Sequence, residues 1–349
     1  MSEESLGNRT RSTLTDVAEL AAVSATTVSL VLSGKATQRR IAESTHKRVL
    51  EAATKLGYTP NLLQRSLRRG RTQVISFYNA YRNREWSDQY MDRLSAGVEH
   101  AGGSYGYDVL VHCNFKRSTW ETYQFLNGGF ADGLILFGPS QDEPLLPLLR
   151  ESSLPTVLVG VHFPEAGLST VRDDEATGMR LTAQALVDRG HRRIAAVVEE
   201  VGGVLDPTGR LQRLDQELSS LGVRLAREQV VLWNGSASET FAKVLGLPER
   251  PTALFVWHDR AAYRILEACE DAGIRVPEDL SVVGYDGLVW PSTTKHVLAS
   301  TSVALDAVGR AAVGILDRLI TAESGPLSET ISVSFDTGTT LGPPLPSRR

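Results

Sequence analysis

The sequence has very little cysteine and no long hydrophobic run. Cys113 and Cys269 stand far apart, which excludes a disulfide framework and the paired spacing of a zinc site, and suits a reducing cytoplasm. No apolar run approaches the roughly eighteen residues that a membrane span needs. The N-terminal residues lack an apolar core followed by a cleavage site, so we expect no secretory signal and a cytoplasmic protein.

Catalytic signatures are also scarce. The 7 histidines show neither HExxH nor HxH spacing, and no phosphate-binding loop occurs. A catalytic pair such as His258 with Asp286 stays open as an alternative, which turnover of a bound molecule would reveal. We expect a protein that is not an enzyme and that uses no metal and no cofactor.

Net charge is small, at −4, but it is unevenly distributed. Residues 1–71 hold 12 Lys and Arg against 6 Asp and Glu, whereas the rest of the chain holds 25 against 35. A basic segment attached to an acidic body favours a polyanion such as nucleic acid as partner of that segment. The alternative is a solvated segment with scattered charge.

Three short helices are predicted in the basic segment from apolar spacing: Thr13–Ala21, Ala25–Leu32 and Ser44–Leu56. Thr15 and Ser24 are the predicted N-caps of the first two, and Gly34 is the predicted stop of the second. Two helices joined by about three residues indicate a helix-turn-helix. The outer face of the second helix is small and hydroxylic, so it can approach base edges and phosphates; the alternative is a helical bundle without a ligand.

A second feature follows Pro60, which ends the third helix. Asn61–Arg69 is rich in leucine and arginine, unlike ordinary linkers, which are rich in Gly, Ser and Pro. An apolar wedge flanked by arginines is typical of elements that kink the minor groove. A plain linker remains the alternative.

Beyond residue 72, apolar strand patterns alternate with helical patterns twice over, which predicts two parallel doubly wound lobes facing each other across a cleft. Polar and aromatic side chains follow several of these strands: Arg213, Trp233, Asp259 and Asp286. An arginine, carboxylates and a ring suit a polyol or another polar small molecule. The alternatives are a turn-forming role for Asp286, core packing for Trp233 and, as the favoured reading, helix capping for Asp259.

Four strings in the basic segment resemble the headpiece of the lac repressor/galactose repressor family of bacterial transcription factors. They are T-L-T-D-V-A-E-L-A-A-V-S (Thr13–Ser24), T-V-S-L-V-L-S-G (Thr27–Gly34), L-G-Y-T-P-N (Leu56–Asn61) and R-S-L-R (Arg65–Arg68). The resemblance continues to about residue 341 through V-R-D-D-E-A-T-G (Val171–Gly178), R-G-H-R-R-I-A (Arg189–Ala195), H-D-R-A-A (His258–Ala262) and D-L-S-V-V-G-Y-D (Asp279–Asp286).

The resemblance implies a repressor that binds a pseudo-palindromic DNA operator as a homodimer, under allosteric control by a small-molecule effector, a sugar or a related metabolite. Base edges would be contacted from Ser24, Ala25, Thr26 and Leu30, and phosphates from Thr15, Thr27 and Ser29. A hinge helix would enter the minor groove with Asn61, Gln64, Leu67 and Arg68, Leu67 being the wedge.

The resemblance also implies effector positions in the cleft: Tyr90, Arg213, Trp233, His258, Asp259 and Asp286. His258 replaces the family's usual Asn, and Gly160 replaces an effector-contacting Asp, which puts a simple hexose or pentose in doubt. In the head, Leu30 replaces a common Arg and can touch a thymine methyl or pack inward. Ala22 replaces a Gly, at a cost on the order of 1 kcal/mol if the turn needs a positive φ.

The predicted fold class is therefore α plus α/β: a helix-turn-helix headpiece and hinge helix, then two interwoven parallel doubly wound lobes similar to periplasmic binding proteins. The predicted domains are a tail (1–12), the headpiece (13–58), the hinge (59–71), the core (72–341) and a second tail (342–349). Within the core, lobe 1 covers about 72–170 plus 303–329, and lobe 2 about 171–302 plus 330–341. The alternatives are a DNA-binding regulator without an effector, a solute-binding protein or an enzyme acting in the cleft.

Overall fold

The computed structural model describes residues 12–34, 36, 39–59, 70–80, 88–112, 116–161, 163–201, 204–205, 208–321 and 323–345. The chain divides into two compact units, Met1–Thr72, called the head, and Gln73–Arg349, called the body. The predicted fold class is confirmed, because short helices make up the described head and two six-stranded sheets form the body.

Three helices build the described head: α1 (Leu14–Leu20), α2 (Ala25–Leu32) and α3 (Glu43–Lys55). The prediction of Thr15 as the first N-cap is wrong, because Thr13 caps α1. The Thr13 hydroxyl accepts from the Asp16 N–H at 3.3 Å, and the Asp16 carboxylate accepts from the Thr13 N–H at 2.8 Å. This reciprocal arrangement satisfies two backbone donors at once.

The prediction for α2 is confirmed at both ends, with Ser24 as its N-cap. Ala22, in the turn between α1 and α2, has φ 51°, so an L-residue occupies a conformation that favours glycine. The third helix starts and ends one residue earlier than predicted, and Gly57, at φ 58°, follows it.

The head has its own apolar core. Val17 from α1, Val28 and Val31 from α2, and Val49 from α3 are all buried in it. No single helix in the described ranges is long and apolar enough to cross a membrane, although α1 and α2 together, bent by 104°, meet that criterion by length and composition alone. The predicted hinge segment Asn61–Arg69, with Asn61, Gln64, Leu67 and Arg68, lies outside the described residues.

The first sheet of the body is parallel throughout. Its strands are β1 (Val74–Asn79), β2 (Asp108–His112), β3 (Gly133–Phe137), β4 (Thr156–Val159), β5 (Ser169–Asp173) and β13 (Ser328–Ile331). In space the order is β13-β5-β4-β3-β1-β2, which leaves β2 at one edge. β1, β3 and β4 are buried almost from end to end, as expected for strands covered on both faces.

The second sheet has six strands: β6 (Ile194–Val198), β9 (Val230–Leu232), β10 (Ala253–Val256), β11 (Ser281–Asp286), β12 (Ala299–Val303) and β14 (Val333–Asp336). Their spatial order is β14-β12-β11-β10-β6-β9, and only β14 runs antiparallel to its neighbour. That strand departs from the predicted all-parallel lobe. A small antiparallel hairpin consists of β7 (Glu200–Val201) and β8 (Val204–Leu205).

Helices cover the two sheets. They are α4 (Gln89–Tyr105), α5 (Thr119–Leu126), α6 (Leu145–Arg150), α7 (Glu175–Asp188), α8 (Arg210–Ser220), α9 (Ala237–Leu245), α10 (Asp259–Asp271) and α11 (Leu305–Ile320), with 3-10 turns at Pro164–Ala166 and Arg227–Gln229. The sequence pattern did not predict α6, which has only 6 residues and contains Pro147, so no helical period is visible. α4 and α11 pack so closely that a side chain at Gly97 or Gly309 would clash with the backbone of the facing helix.

The chain crosses between the sheets three times: after β5, after β12 and between β13 and β14. The predicted boundaries at residues 170 and 329 fall inside β5 and β13. Both strands stay in the first sheet to their ends, because their parallel pairing runs from Ser328↔Thr170 to Ile331↔Asp173. The crossings therefore bring the ends of both sheets to one place, and the polar side chains described next lie there.

Candidate functional site

The outer face of α2 consists of small and hydroxylic side chains. Ser24, Ala25 and Thr26 are exposed, and Thr27 and Ser29 are half-buried. The Ser24 hydroxyl accepts from the Thr27 N–H at 3.1 Å and lies 2.9 Å from the Thr27 hydroxyl, so these two predicted contact residues also build the cap. Thr15 is exposed in the first turn of α1.

Leu30 lies on the side of α2 that faces away from the head core. It is half-buried, and it is not among the described apolar side chains packed on that core. Successive residues of a helix are rotated by about 100°, so Leu30 points roughly 200° from the buried Val28. Of the two roles that the sequence left open for Leu30, this position favours the outward one.

A buried ionic cluster in the body centres on Arg210, the first residue of α8. The Arg210 side chain is 11% exposed; its Nε donates to Glu175 Oε1 at 2.9 Å and its Nη1 to the Trp257 carbonyl at 2.6 Å. Arg210 Nη1 lies 3.6 Å from Asp286 Oδ1, an ion-pair distance too long for a hydrogen bond. The guanidinium also stacks 3.8 Å above the centre of the Tyr285 ring.

The carboxyl groups of this cluster have raised pKa values. Burial raises the pKa of Asp286 to about 7 against the opposing effect of Arg210, and Asp173 raises it further. Burial likewise raises the pKa of Glu175, while the Arg210 charge lowers it. One arginine thus compensates these buried acids only in part, and the Asp286 carboxyl titrates near neutral pH.

The backbone at the end of β11 holds Asp286 in place. Asp286 has φ 117°, a conformation that L-residues rarely adopt. Its carboxylate accepts from the Asp259 N–H at the first turn of α10. The buried Asp259 carboxylate in turn accepts from the Leu288 N–H at 2.5 Å and from the Ser300 hydroxyl at 2.6 Å. Asp259 therefore fixes the loop that carries Asp286.

The favoured interpretation of Asp259 as a helix cap is wrong, because His258 caps α10. The His258 Nδ1 accepts from the Ala261 N–H at 3.0 Å. Burial, and then the Arg210 charge, lower the pKa of His258 to about 4, so the ring is neutral at physiological pH and its Nδ1 stays an acceptor. His258 is poorly suited to act as a base with Asp286, because its pKa is low and its Nδ1 lone pair already accepts from the Ala261 N–H.

Arg213, which the resemblance places among the effector positions, lies beside Glu175 of the cluster. Its Nη1 lies 3.4 Å from Glu175 Oε2 and donates to the Gly209 carbonyl at 3.3 Å, and its side chain is 38% exposed. The arginine beside Asp286 is Arg210, one helical turn earlier. Both arginines lie on one face of α8, and the sequence offered no reason to prefer the one next to Gly209.

Two predicted aromatic positions lie near the cluster. Tyr90, on α4, is half-buried beside Phe137 with ring centroids 5.6 Å apart, and burial and then the charges of Asp173 and Asp286 raise its pKa well above the usual value. Trp233, half-buried after β9, lies 5.6 Å from the Trp257 ring. Tyr90 therefore places a side chain of the first lobe close to the carboxyl groups of the second lobe.

Gly160 follows β4 with φ 78°, and a Cβ there would approach the Phe137 ring to 3.1 Å. An aspartate at this position would be strained, which gives a physical reason for the departure seen in the sequence. Sequence reasoning missed Asp173, Glu175, Tyr285 and Arg210. The first three fall in strings that resemble the family, whereas Arg210 lies outside them. The Tyr285 hydroxyl donates to Asp173 at 2.5 Å. That bond joins β11 of one sheet to β5 of the other.

Signs of catalysis are weak in the described residues. Gly102–Gly106 has the letters G-x-S-x-G, but Ser104 lies in the last turn of α4 and donates to the His100 carbonyl at 2.9 Å, not in a strand-to-helix elbow. Burial raises the pKa of Cys269 to about 12, which makes it a poor nucleophile. The described ranges contain no group of three metal-ligating side chains.

Comparisons with known proteins agree along most of the chain. Residues 13–61 match the profile of bacterial regulatory proteins of the lacI family, and residues 183–338 match a periplasmic binding protein-like domain. The HTH-type transcriptional repressor PurR of Aliivibrio fischeri (strain MJ11) is 30% identical over 313 residues, 87% of this chain and 90% of that protein. Catabolite control protein A of Priestia megaterium is 26% identical over 317 residues, 89% and 93% of the two chains.

Solved structures share the fold. A lac repressor dimer bound to operator and the anti-inducer ONPF has a TM-score of 0.81 at 22% identity, covering 95% of this chain and 100% of that one. The complex of the transcriptional regulator CelR with cellobiose has a TM-score of 0.67 at 25% identity, covering 95% and 100%.

Proposed function

The chain belongs to the lacI family of bacterial regulatory proteins, and from that premise we propose that it represses transcription as a homodimer on a pseudo-palindromic operator under small-molecule control. The observation that carries this proposal is the capped α2, whose buried stripe fixes it in the head while its opposite face stays open. We expect the protein to act in the cytoplasm at the nucleoid and not as an enzyme.

In the proposed complex, α2 lies in the major groove of each half-site. Base edges meet Ser24, Ala25, Thr26 and Leu30, and phosphates meet Thr15, Thr27 and Ser29. We propose that Asn61, Gln64, Leu67 and Arg68 order in the minor groove between the half-sites. Half-sites read by a symmetric dimer would lie about 34–36 Å apart, one helical turn of DNA.

We propose that the effector binds at the ionic cluster. Arg210 and Asp286, 3.6 Å apart, are not hydrogen-bonded to each other, so a ligand hydroxyl lying beside the pair can accept from the guanidinium and donate to the carboxylate. Trp233 and Tyr90 supply ring faces, and the neutral His258, Asp259 and Arg213 lie around the same strand ends. These groups suit a polar molecule with hydroxyls and an apolar face, a sugar or a related metabolite.

A second copy of the chain is the proposed partner of the edge of the first sheet. Large apolar side chains are exposed on and near β2: Leu110, Val111, Trp120 and Phe130. Phe130 stacks on Phe125 at 5.3 Å, and Phe125 on His112 at 4.8 Å, so these rings continue into the lobe. Exposed large apolar side chains near a sheet edge are typical of subunit contacts. A dimer formed there would present two heads to a two-fold symmetric site.

Binding at the cluster and binding of DNA would be linked. Coupling free energies of this kind are typically about 1–3 kcal/mol, equivalent to a 5–150-fold change in affinity, and they are reciprocal. The predicted coupling therefore appears either as an effector-dependent change in DNA affinity or as a DNA-dependent change in effector affinity.

The test begins with selection of duplexes from a randomised library by the full-length protein, followed by fluorescence anisotropy on the enriched site. Thermal-shift screening of sugars and other small polar metabolites then identifies a ligand, which is titrated into the DNA complex. We expect Asp286→Ala to remove the ligand response while operator affinity stays within about twofold. Asp279→Ala, which removes a half-buried carboxylate paired with Arg275 on the same body, is the matched control.

Failure to enrich any sequence would contradict the DNA-binding part of the proposal. An enriched site whose affinity no ligand changes would leave a regulator without an effector. A ligand response preserved in Asp286→Ala would overturn the assignment of the effector to the ionic cluster.

A further inference from the structure

The outward face of α2 lacks any side chain that can form two hydrogen bonds with one base. From Ser24 to Ser33 the sequence S-A-T-T-V-S-L-V-L-S contains no Arg, Lys, Asn, Gln, Asp or Glu. Arg or Lys paired with guanine, and Asn or Gln paired with adenine, are the usual bidentate contacts in the major groove. The groups present on this helix therefore cannot make them.

Three of the hydroxyls in this stretch already have partners. The Ser24 hydroxyl accepts from the Thr27 N–H at 3.1 Å and lies 2.9 Å from the Thr27 hydroxyl, and the Ser33 hydroxyl donates to the Leu30 carbonyl at 3.2 Å. Thr26 and Ser29 make no side-chain hydrogen bond within the described part of the chain. They offer single hydroxyls, which discriminate weakly between bases because one hydroxyl can both donate and accept.

Apolar groups dominate what remains. Thr26, Leu30 and Ser33 lie on the side opposite the buried Val28, about 140° to 200° around the helix axis from it. The exposed Ala25 adds a methyl group at the N-terminal end of the helix, where such helices meet base edges. The face presented to DNA is therefore a set of methyl groups from Ala25, Thr26 and Leu30.

In the major groove, only thymine presents an apolar group, its C5 methyl. We propose that α2 reads its half-site through thymine methyl groups, with Leu30 as the main specificity-determining side chain. This inference rests on the proposed function, since it takes operator binding by α2 as given. It predicts half-sites whose central positions are A·T pairs with the thymine turned toward Leu30, and no guanine fixed by this helix.

The test uses deoxyuridine, which differs from thymidine only by the absence of the C5 methyl. The full-length protein selects duplexes from a randomised library, and each thymine of the enriched half-site is then replaced singly by deoxyuridine. Losing one buried methyl corresponds to about fourfold weaker binding, measured by fluorescence anisotropy at constant salt. We expect this loss at one to three adjacent positions of each half-site.

Leu30→Ala connects the loss to one side chain. In that variant, deoxyuridine at the base pair that Leu30 contacts should weaken binding by less than about 1.5-fold, because the thymine methyl no longer has a partner there. The other thymine positions should keep their loss of affinity. Leu50→Ala, an exposed leucine on α3 of the same head, is the matched control and keeps the full pattern. Circular dichroism of both variants verifies that the head is folded.

The results separate the inference from the function on which it rests. A library that enriches no sequence overturns both. An enriched site with guanine fixed at the α2 positions, or one whose affinity deoxyuridine leaves unchanged, overturns methyl readout while DNA binding stands. Equal deoxyuridine losses in Leu30→Ala and in the unchanged protein exclude Leu30 as the reader.

Discussion

Replacing Asp286 with asparagine should change the pH dependence of stability in a defined direction. Asp286 is 5% exposed at the end of β11, beside Arg210 at 3.6 Å, and burial raises the pKa of its carboxyl to about 7. Asparagine has nearly the same shape, and its carbonyl can still accept from the Asp259 N–H. The substitution therefore removes the ionisation and leaves the packing.

The sign follows from the raised pKa. Below pH 3.8, the usual value for the group, Asp286 is protonated in both the folded and the unfolded chain and has no effect on stability through ionisation. Between that value and about 7 the unfolded chain ionises first, so folding loses stability as pH rises. Each pKa unit corresponds to about 1.4 kcal/mol, which sets a ceiling on the order of 4 kcal/mol above pH 7.

Urea unfolding at half-unit pH intervals from 4 to 8.5 measures this difference. We expect Asp286→Asn and the unchanged protein to be equally stable near pH 4, and the variant to gain progressively up to about pH 7, then level off. The control is Asp279→Asn. Arg275 holds the pKa of Asp279 at about 2, so that variant should show no trend over the same range.

Two results would refute the reasoning. A stability difference that does not change between pH 4 and 7 would mean that Asp286 keeps an ordinary pKa in the folded protein. A variant that becomes less stable than the unchanged protein as pH rises would mean that the Arg210 ion pair outweighs the cost of burial.

Further predictions concern three other places. Ala22→Gly should raise the free energy of unfolding of the head by about 1 kcal/mol, because φ is 51° there; unchanged or lower stability in urea titrations would contradict it. Leu67→Ala should weaken binding to the selected operator far more than binding to random duplex, whereas equal losses in anisotropy titrations would argue against a minor-groove wedge. Val111→Glu should shift the protein toward monomers in analytical ultracentrifugation, because Val111 is exposed on the edge strand β2; an unchanged dimer would place the interface elsewhere.

Much of the fold was predictable because its signals are local. The bounds of α2 follow from Ser24 as cap and from the apolar spacing of Val28 and Val31, and both sheets follow from apolar runs bounded by glycine and proline. The cap of α1 was misplaced by two residues, since Thr13 and Thr15 are chemically equivalent. Only the position of Asp16, three residues after Thr13, distinguishes them.

The ionic cluster was predictable only in part because its geometry is not local. Asp286 was identified from its place at a strand end and Arg213 from the resemblance, but Arg210, the arginine that lies beside Asp286, was not identified. Arg210 and Arg213 lie on the same face of α8, and both bind Glu175. Which of them reaches Asp286 depends on the tertiary placement of β11 against α8, which no spacing in the sequence encodes.

The same cluster gives a physical basis for coupling between the lobes. The Tyr285 hydroxyl donates to Asp173, the last residue of β5, at 2.5 Å, and the Arg210 guanidinium lies over the Tyr285 ring. The chain crosses from the first lobe to the second directly after Asp173. If the effector binds at this cluster as proposed, its contacts with Asp286 or Arg210 would change the electrostatic environment of this tyrosine, and with it the hydrogen bond at the crossing. The energy of binding in one lobe can thus bias the position of the other, which is the requirement for allosteric control.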